Sequence, residues 1–471
     1  MENFEVKAFD YYGEAVINKS LIHKAGFSSR AIPAYVGEWI LYNFLDNGQL
    51  TEESRQKIST FINKFLPQKG RKEEIKNQLL NLSSVKLLDD YSVSVNLRNG
   101  KRTLKIPFLD MKDGFISDEI VDENKLLLSS GVWGVADLFY VPPTSPKEKG
   151  QVWMKSLKPF QIGSVDLDYY KECRKNFETE EWLDLIISTI GFNPKEYEEQ
   201  QKNVLLTRIL PMIEPRINLI ELAPKGTGKS FVFGNVSRYA RVIGGGKITP
   251  AVLFHHNGNN TPGMITRYDV IVLDEVQSVQ GDSNGELIAG LKVYLESGKF
   301  SRGNTEATSE AGFVMLGNIT LDEEHQPVYN EEGLFKEIPN FLQETAFIDR
   351  LHGIIPGWLM PRISENTPSK NLGFKGDFFS EVLHSLRSEH QYADYVNLNM
   401  NLKNCSDLRD RKAIVRLATA YLKLLFPDLR LTHEEFVKYC LKPAVELRQR
   451  VRDELHKMDK EYAKVKIEVS E

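Results

Sequence analysis

The stretch Gly226-Thr227-Gly228-Lys229-Ser230 has the residue types and spacing of a phosphate cradle. Backbone N–H groups of a tight glycine loop and of the helix that follows can bind phosphate oxygens. Within the run Pro224 to Ser230, Lys229 would contact the β- and γ-phosphates and Ser230 would help hold Mg²⁺. Pro224, Lys225 and Thr227 complete the loop. Ala223 departs from the pattern, because the first glycine of G-x-x-x-x-G-K-[ST] is expected there. If alanine had to adopt a positive φ at that point, it would cost roughly 1 kcal/mol.

Downstream, four apolar residues (Val270 to Leu273) run into Asp274-Glu275, with Asp274 forty-five residues beyond Lys229. A buried strand ending in two acids supplies what a bound nucleoside triphosphate needs: Asp274 for Mg²⁺ and Glu275 to polarise the attacking water. Such a strand end alone is unspecific, but paired with the glycine loop it identifies an NTPase. The next apolar run, GFVMLGN, ends in Asn318, a polar group able to orient that water or merely to cap a turn. In AFIDRLHG, Arg350 is either a surface partner of Asp349 or an arginine that reaches a neighbouring subunit's γ-phosphate in a ring.

These residues need elements to hold them. RINLIELA reads as a buried strand before the loop and SFVFGNVSRYA as a helix after it. From about 151 to 365, short apolar strands alternate with helical stretches, the pattern of an α/β parallel sheet. TEEWLDLIISTIGF predicts an amphipathic helix with Thr179 as its N-cap. Residues 30 to 83 read as helical, with Ile32, Val36, Trp39, Ile40 and Leu45 near helical spacing. YSVSVNLRNGKRTLKIPF then alternates about Asn99-Gly100, predicting a hairpin with a two-residue type I′ turn. GVWGVADLFYV is a further strand, and the proline-rich, charged PPTSPKEKG (142 to 150) is the candidate domain edge. Residues from 372 onward read as helical. The expectation is three regions: an N-terminal α+β domain over 1–150, an α/β nucleotide core over 151–365, and a charged helical region over 366–471. The helix-then-hairpin pattern of the first admits an oligonucleotide-binding barrel.

The totals exclude several classes. With 471 residues, 41% hydrophobic and a formal net charge of −5, the chain has no overall basic excess. A nucleic-acid surface would therefore be local. Three cysteines, Cys173, Cys405 and Cys440, are too few and too scattered for a disulfide framework, which fits a cytoplasmic protein. No apolar run approaches the ~18–20 residues of a membrane span, and the N-terminus is unlike a signal peptide. His255-His256 lacks a third ligand nearby and, on a strand, would point to opposite faces.

The order of glycine loop, acid pair, polar sensor, arginine and helical lid resembles the AAA+ ATPases. VYLESGKFSRGN and DLRDRKAIVRLATAYLKLLF are similar to two features of the replicative MCM helicases. Those are a hairpin that points into the ring's pore before the sensor strand, and a lid arginine seven positions before an RLA helix arginine. The resemblance makes Arg409, seven before Arg416, the lid's nucleotide-sensing arginine, with Arg411 as competitor. It makes Lys299 and Arg302 candidate DNA-phosphate contacts. Arg98, Lys101 and Arg102 on the N-terminal hairpin are further candidates, or simply solvated charges.

Over most of its length, and most specifically over 215–360, the chain resembles the BrxL family, Lon-related proteins of BREX bacteriophage-exclusion systems, in its shorter form. The resemblance implies a homo-oligomeric ring, hexameric or doubled, that uses ATP and Mg²⁺, encircles double-stranded DNA, and works with other BREX components. Only about 40 residues follow LFPDLRLT, fewer than the ~50 a Lon-type Ser/Lys protease domain needs, so proteolysis is not expected. Three uses remain open: a DNA translocase or remodeller, an ATP-gated clamp or scaffold with slow turnover, and a protein unfoldase. The last would need a pore aromatic, for which Phe254 is available.

Overall fold

The computed structural model describes residues 2–25, 27, 32–46, 48–81, 84–97, 100–145, 148–160, 163–246, 248–257, 261–280, 285–303 and 305–470. The chain divides into two compact units, one of residues 20–165 and 375–381, the other of residues 1–19, 166–374 and 382–471.

In the smaller unit, helices α1 (Ala34–Phe44), α2 (Glu52–Phe65) and α3 (Lys72–Asn81) precede five strands. These are β1 (Val85–Asn96), β2 (Lys101–Ile106), β3 (Met111–Ile116), β4 (Val132–Val141) and β5 (Gln151–Pro159), closed into a barrel in the order β1-β2-β3-β5-β4. Closure leaves no sheet edge. Strand β1 is long enough to serve two neighbours: Val85–Tyr91 pairs with β4 and Ser92–Asn96 with β2. Alternate residues, among them Leu87, Tyr91, Val93, Leu104, Ala136 and Leu138, fill the interior, as a period of two requires.

The ladder between β1 and β2 ends at Asn96↔Lys101, and the turn expected at Asn99-Gly100 falls partly outside the described residues. Gly100 supplies a positive φ of 63° within it, while Asn99 and Arg98 lie outside the described residues. The edge expected at 150 falls inside the β4–β5 hairpin, because the barrel cannot close without β5.

The larger unit is built on a five-stranded parallel sheet. Its strands are β6 (Asn218–Ala223), β7 (Ala240–Ile243), β8 (Val270–Leu273), β11 (Gly312–Asn318) and β12 (Gly353–Pro356), with β9 (Lys299–Arg302) and β10 (Thr305–Thr308) forming a hairpin apart from it. The order across the sheet is β12-β6-β11-β8-β7. All six residues of β6 and all four of β8 are buried, as strands covered on both faces should be. The N-terminal segment belongs to this unit: Val16–Asn18 pairs with Leu372–Phe374, and Tyr12 meets Phe374 edge-on at 4.8 Å.

Around the sheet lie α4 (Thr179–Thr189), α5 (Glu199–Thr207), α6 (Lys229–Asn235), α7 (Glu286–Ser297), α8 (Thr345–Ile348), α9 (Leu408–Leu425) and α10 (Lys442–Met458). Thr179 is the first residue of α4 rather than its cap; Glu178 caps it in a reciprocal box with Glu181. Helix α6 ends at Asn235, earlier than its apolar pattern suggests, because the chain must turn into β7 at Ala240. The C-terminal region is helical only to Met458, after which Glu468–Val469 pairs with Leu402–Lys403.

Candidate nucleotide site

The sheet's parallel strands sort the candidate residues into two groups. Lys229 follows the C-terminal end of β6, Asp274 and Glu275 that of β8, and Asn318 ends β11. Strand β11 lies between β6 and β8, which sets Asn318 between the lysine and the acids. The Lys229 ammonium donates to Asn318 Oδ1 at 2.6 Å and to the Pro224 carbonyl at 3.4 Å. Burial pushes its pKa below the usual lysine range, opposed by the Glu221 and Asp274 carboxylates.

The glycines meet the cradle's demands: Gly226 and Gly228 have φ of 85° and 76°. A Cβ at Gly226 would meet nothing within 4 Å, so space lies open above the loop. Ala223 carries none of the strain considered above. It is the last residue of β6, fully buried, paired with Asn318 and outside the positive-φ set. The glycine it displaces is needed across from it instead. A Cβ on Gly357 would lie 2.5 Å from the Ala223 Cβ and 2.7 Å from Glu221 Oε1.

A buried ion pair supports the loop from below. Arg208, after α5, and Glu221, within β6, are both fully buried and joined by two bonds of 3.0 and 2.6 Å. The same guanidinium donates to the Thr227 carbonyl at 3.3 Å. A glutamate inside an apolar strand was the one sequence signal for this pair. Beside Lys229, Glu275 occupies the left-handed region at φ 50°. Its N–H donates to Asp274 Oδ1 at 2.9 Å and its carbonyl accepts from the Ser278 N–H and Oγ, both at 2.8 Å. Strain held by surrounding bonds is found where a side chain must be aimed. A cavity of about 1130 Å³ opens here, lined by Pro224, Lys225, Gln277, Asn318, Trp358 and Arg362 among others.

The second group lies at the opposite end of the sheet. Arg350 precedes β12, where the His352 N–H donates to the Asn218 carbonyl at the start of β6. The length of β6, about 17 Å at ~3.3 Å per residue, separates this end from the glycine loop. Arg350 does not pair with Asp349; its Nε lies 3.2 Å from Glu296. Arg409 joins it, donating to the same Glu296 at 3.0 Å and to Asp349 at 2.7 Å. Asp349 is clamped in turn by Arg448, a buried arginine the sequence reading missed. It donates to the side chains of Asp349 and Asp410 and to the carbonyls of residues 349 and 351.

These groups line a cavity of about 560 Å³ containing seven cationic side chains and three carboxylates. Burial and the neighbouring Arg216 push Arg416 down to about 10, and burial with three arginines holds His352 neutral.

The remaining candidates are dispersed. Lys299 is exposed on β9, whereas Arg302, on the other face of the hairpin, donates to Glu286 at 2.9 Å and to the His255 carbonyl. Lys101 is exposed and Arg102 is paired with Asp118. Phe254 is buried against Tyr294 and Phe300.

Family comparison covers most of the chain. A family described as "Lon-like protease BrxL-like, ATPase domain" matches residues 152–468, and "BREX system Lon protease-like protein BrxL N-terminal" matches 10–140. The chain belongs to the BrxL family. Two proteins named Lon-like protease BrxL, from Escherichia coli O9:H4 (strain HS) and Bacillus cereus (strain H3081.97), are 29% and 28% identical to it over 462 residues. Those residues are 97% of this chain and 65% and 67% of the relatives, so the chain spans about two thirds of their length. The BrxL ATPase domain includes every residue of both groups above.

Proposed function

We propose that this BrxL-family chain is a ring-forming ATPase of an anti-phage defence system that encircles duplex DNA and couples ATP hydrolysis to moving along or remodelling it. The observation that carries the reading is the split of the candidate set. Lys229, Asp274, Glu275 and Asn318 sit at one end of the sheet, Arg350 and Arg409 a strand's length away. No single copy can bring both groups to one phosphate, so the arginines act on the nucleotide of a neighbouring copy in a hexameric ring or pair of rings. Arg409 thus works from the same side as Arg350, in a helical lid that reaches the next subunit.

The cradle fits a triphosphate: its loop is open above Gly226, its lysine is held by bonds that phosphate oxygens can replace, and Ser230 and Asp274 are suited to a Mg²⁺ ion. That ion would neutralise phosphate charge. Glu275 takes up the proton of the attacking water, Asn318 orients that water, and Lys229 holds the β- and γ-phosphates. No proteolytic step is assigned to these residues.

A closed five-stranded barrel is compatible with an oligonucleotide-binding fold, which supports a role in gripping DNA through Lys101 and neighbouring charges. On the β9–β10 hairpin, Lys299 is the better phosphate contact, because Arg302 is engaged within its own subunit. The burial of Phe254 counts against a protein unfoldase, which would present that ring to the pore. No helix among the described residues is long and apolar enough to cross a membrane, in keeping with work in the cytoplasm beside other BREX components.

The test is the ATPase rate with and without duplex DNA at moderate salt, wild type beside Glu275→Gln. Strong stimulation by DNA, abolished in the variant, supports a motor. Hydrolysis indifferent to DNA favours an ATP-gated clamp.

A further inference from the structure

Helix α7 makes contact with both halves of the mechanism just proposed. At its C-terminal end Glu296 Oε2 accepts from Arg409 Nε at 3.0 Å; Arg409 Nη2 at 3.0 Å and Arg350 Nε at 3.2 Å are in ion-pair contact with it, the latter without a hydrogen bond. One residue later the Ser297 carbonyl accepts from Arg216 Nη1 at 2.8 Å, and Gly298, at φ 73°, turns the chain into the hairpin at Lys299. That turn is tight: a Cβ at residue 298 would lie 3.0 Å from both Arg216 and the Ser309 carbonyl. At its N-terminal end Glu286 accepts from Arg302 of the same hairpin at 2.9 Å. Midway, Lys292 bonds Glu344, the cap of the short helix α8 that leads to Arg350, at 2.6 Å.

The Glu296 contacts are of a kind that exchanges readily. Arg409 and Glu296 are 41% and 39% exposed, so solvent screens their attraction and that pair is worth little, whereas Arg350 is 19% exposed. A triphosphate carries several negative charges and offers bidentate oxygens to guanidinium forks. It therefore competes with Glu296 for Arg350 and Arg409, the latter held by Asp349 as well, and the displaced Glu296 is then repelled by it.

We propose that Glu296 is a positioning residue that withdraws Arg350 and Arg409 until a neighbouring copy's nucleotide displaces it, and that α7 transmits this exchange to the β9–β10 hairpin. The inference rests on the ring-ATPase reading above. A twelve-residue helix tied at both ends cannot shift at Glu296 without shifting the hairpin. By reciprocity, a hairpin held by DNA biases the arginines toward release.

The experiment measures kcat and KM for ATP, with and without long duplex DNA, for the full chain carrying Glu296→Gln. The expected result is a DNA-free kcat raised about fivefold or more, the lower end of a typical coupling. The stimulation ratio falls towards one, and KM is unchanged. Glu296→Asp, which keeps the charge on a shorter stem, restores part of the ratio. Glu286→Gln, at the hairpin end, lowers the ratio as well and serves if Glu296→Gln does not fold. A wild-type stimulation ratio in both glutamine variants overturns the proposal. So does a Glu296→Gln rate as low as that of Arg350→Ala in both conditions, because Glu296 would then belong to the active arrangement. If Arg350→Ala itself keeps the full wild-type rate, the ring reading fails and the coupling with it.

Discussion

The two ends of the parallel sheet are built on opposite principles. At the C-terminal end the backbone does the holding: positive-φ glycines, a left-handed Glu275, and a lysine resting on an amide and a carbonyl. At the N-terminal end side chains hold side chains, with Arg350, Arg409 and Arg448 cross-linked by Glu296, Asp349 and Asp410. The first arrangement is an open cradle, shaped before its ligand arrives. The second is a cluster of three arginines and three carboxylates that, on the proposed reading, rearranges to act. A cradle can be preorganised within one subunit, whereas an arginine that serves another subunit needs a resting partner.

Four substitutions sharpen or break this contrast. The largest effect belongs to Arg350→Ala, expected to lower kcat about 10³-fold or more, the range of arginine fingers, while ATP still binds. Equilibrium binding of a fluorescent ATP analogue beside turnover checks it; loss of binding would place Arg350 in its own subunit's cradle. Next is Arg208→Met, which leaves Glu221 buried and unpaired at a cost of about 3–5 kcal/mol. Urea unfolding should show this, and the double change with Glu221→Leu should recover much of the loss. Gly357→Ala follows, since the added methyl collides with Ala223 and Glu221; overpacking of this kind costs about 1–3 kcal/mol. A melting temperature equal to wild type would mean that the loop's base is softer than its contacts imply. The smallest is Lys299→Ala, expected to reduce the salt slope of DNA binding by about one per engaged subunit, with Arg302→Ala changing it less.

Sequence reading reached the cradle end far more completely than the arginine end. Gly226, Gly228, Lys229, Asp274, Glu275 and Asn318 stand at strand ends, so strand periodicity alone carries them to one edge. Ala223 looked like a defect because the sequence did not reveal its partner, Gly357, 134 positions away. Arg350 and Arg409 were recognisable singly, but their meeting at Glu296 depends on how α7, α8 and α9 pack, which no local pattern encodes. Arg448 was invisible for the same reason: on a charged helix, a buried arginine reads like any exposed one. The barrel shows the middle case. Alternation announced strands on both sides of Gly100, yet closure through β5 placed the unit's edge beyond the proline-rich loop.

The most direct test of a site shared between copies mixes two inactive variants. On the proposed reading Lys229→Ala loses nucleotide binding and Arg350→Ala loses the arginine, so each alone should hydrolyse almost no ATP. Co-assembled in equal amounts, they should recover a substantial fraction of wild-type activity, because some interfaces pair an intact cradle with an intact arginine. If the mixed assembly forms and remains as inactive as its components, the arginines do not act between copies and the account is wrong.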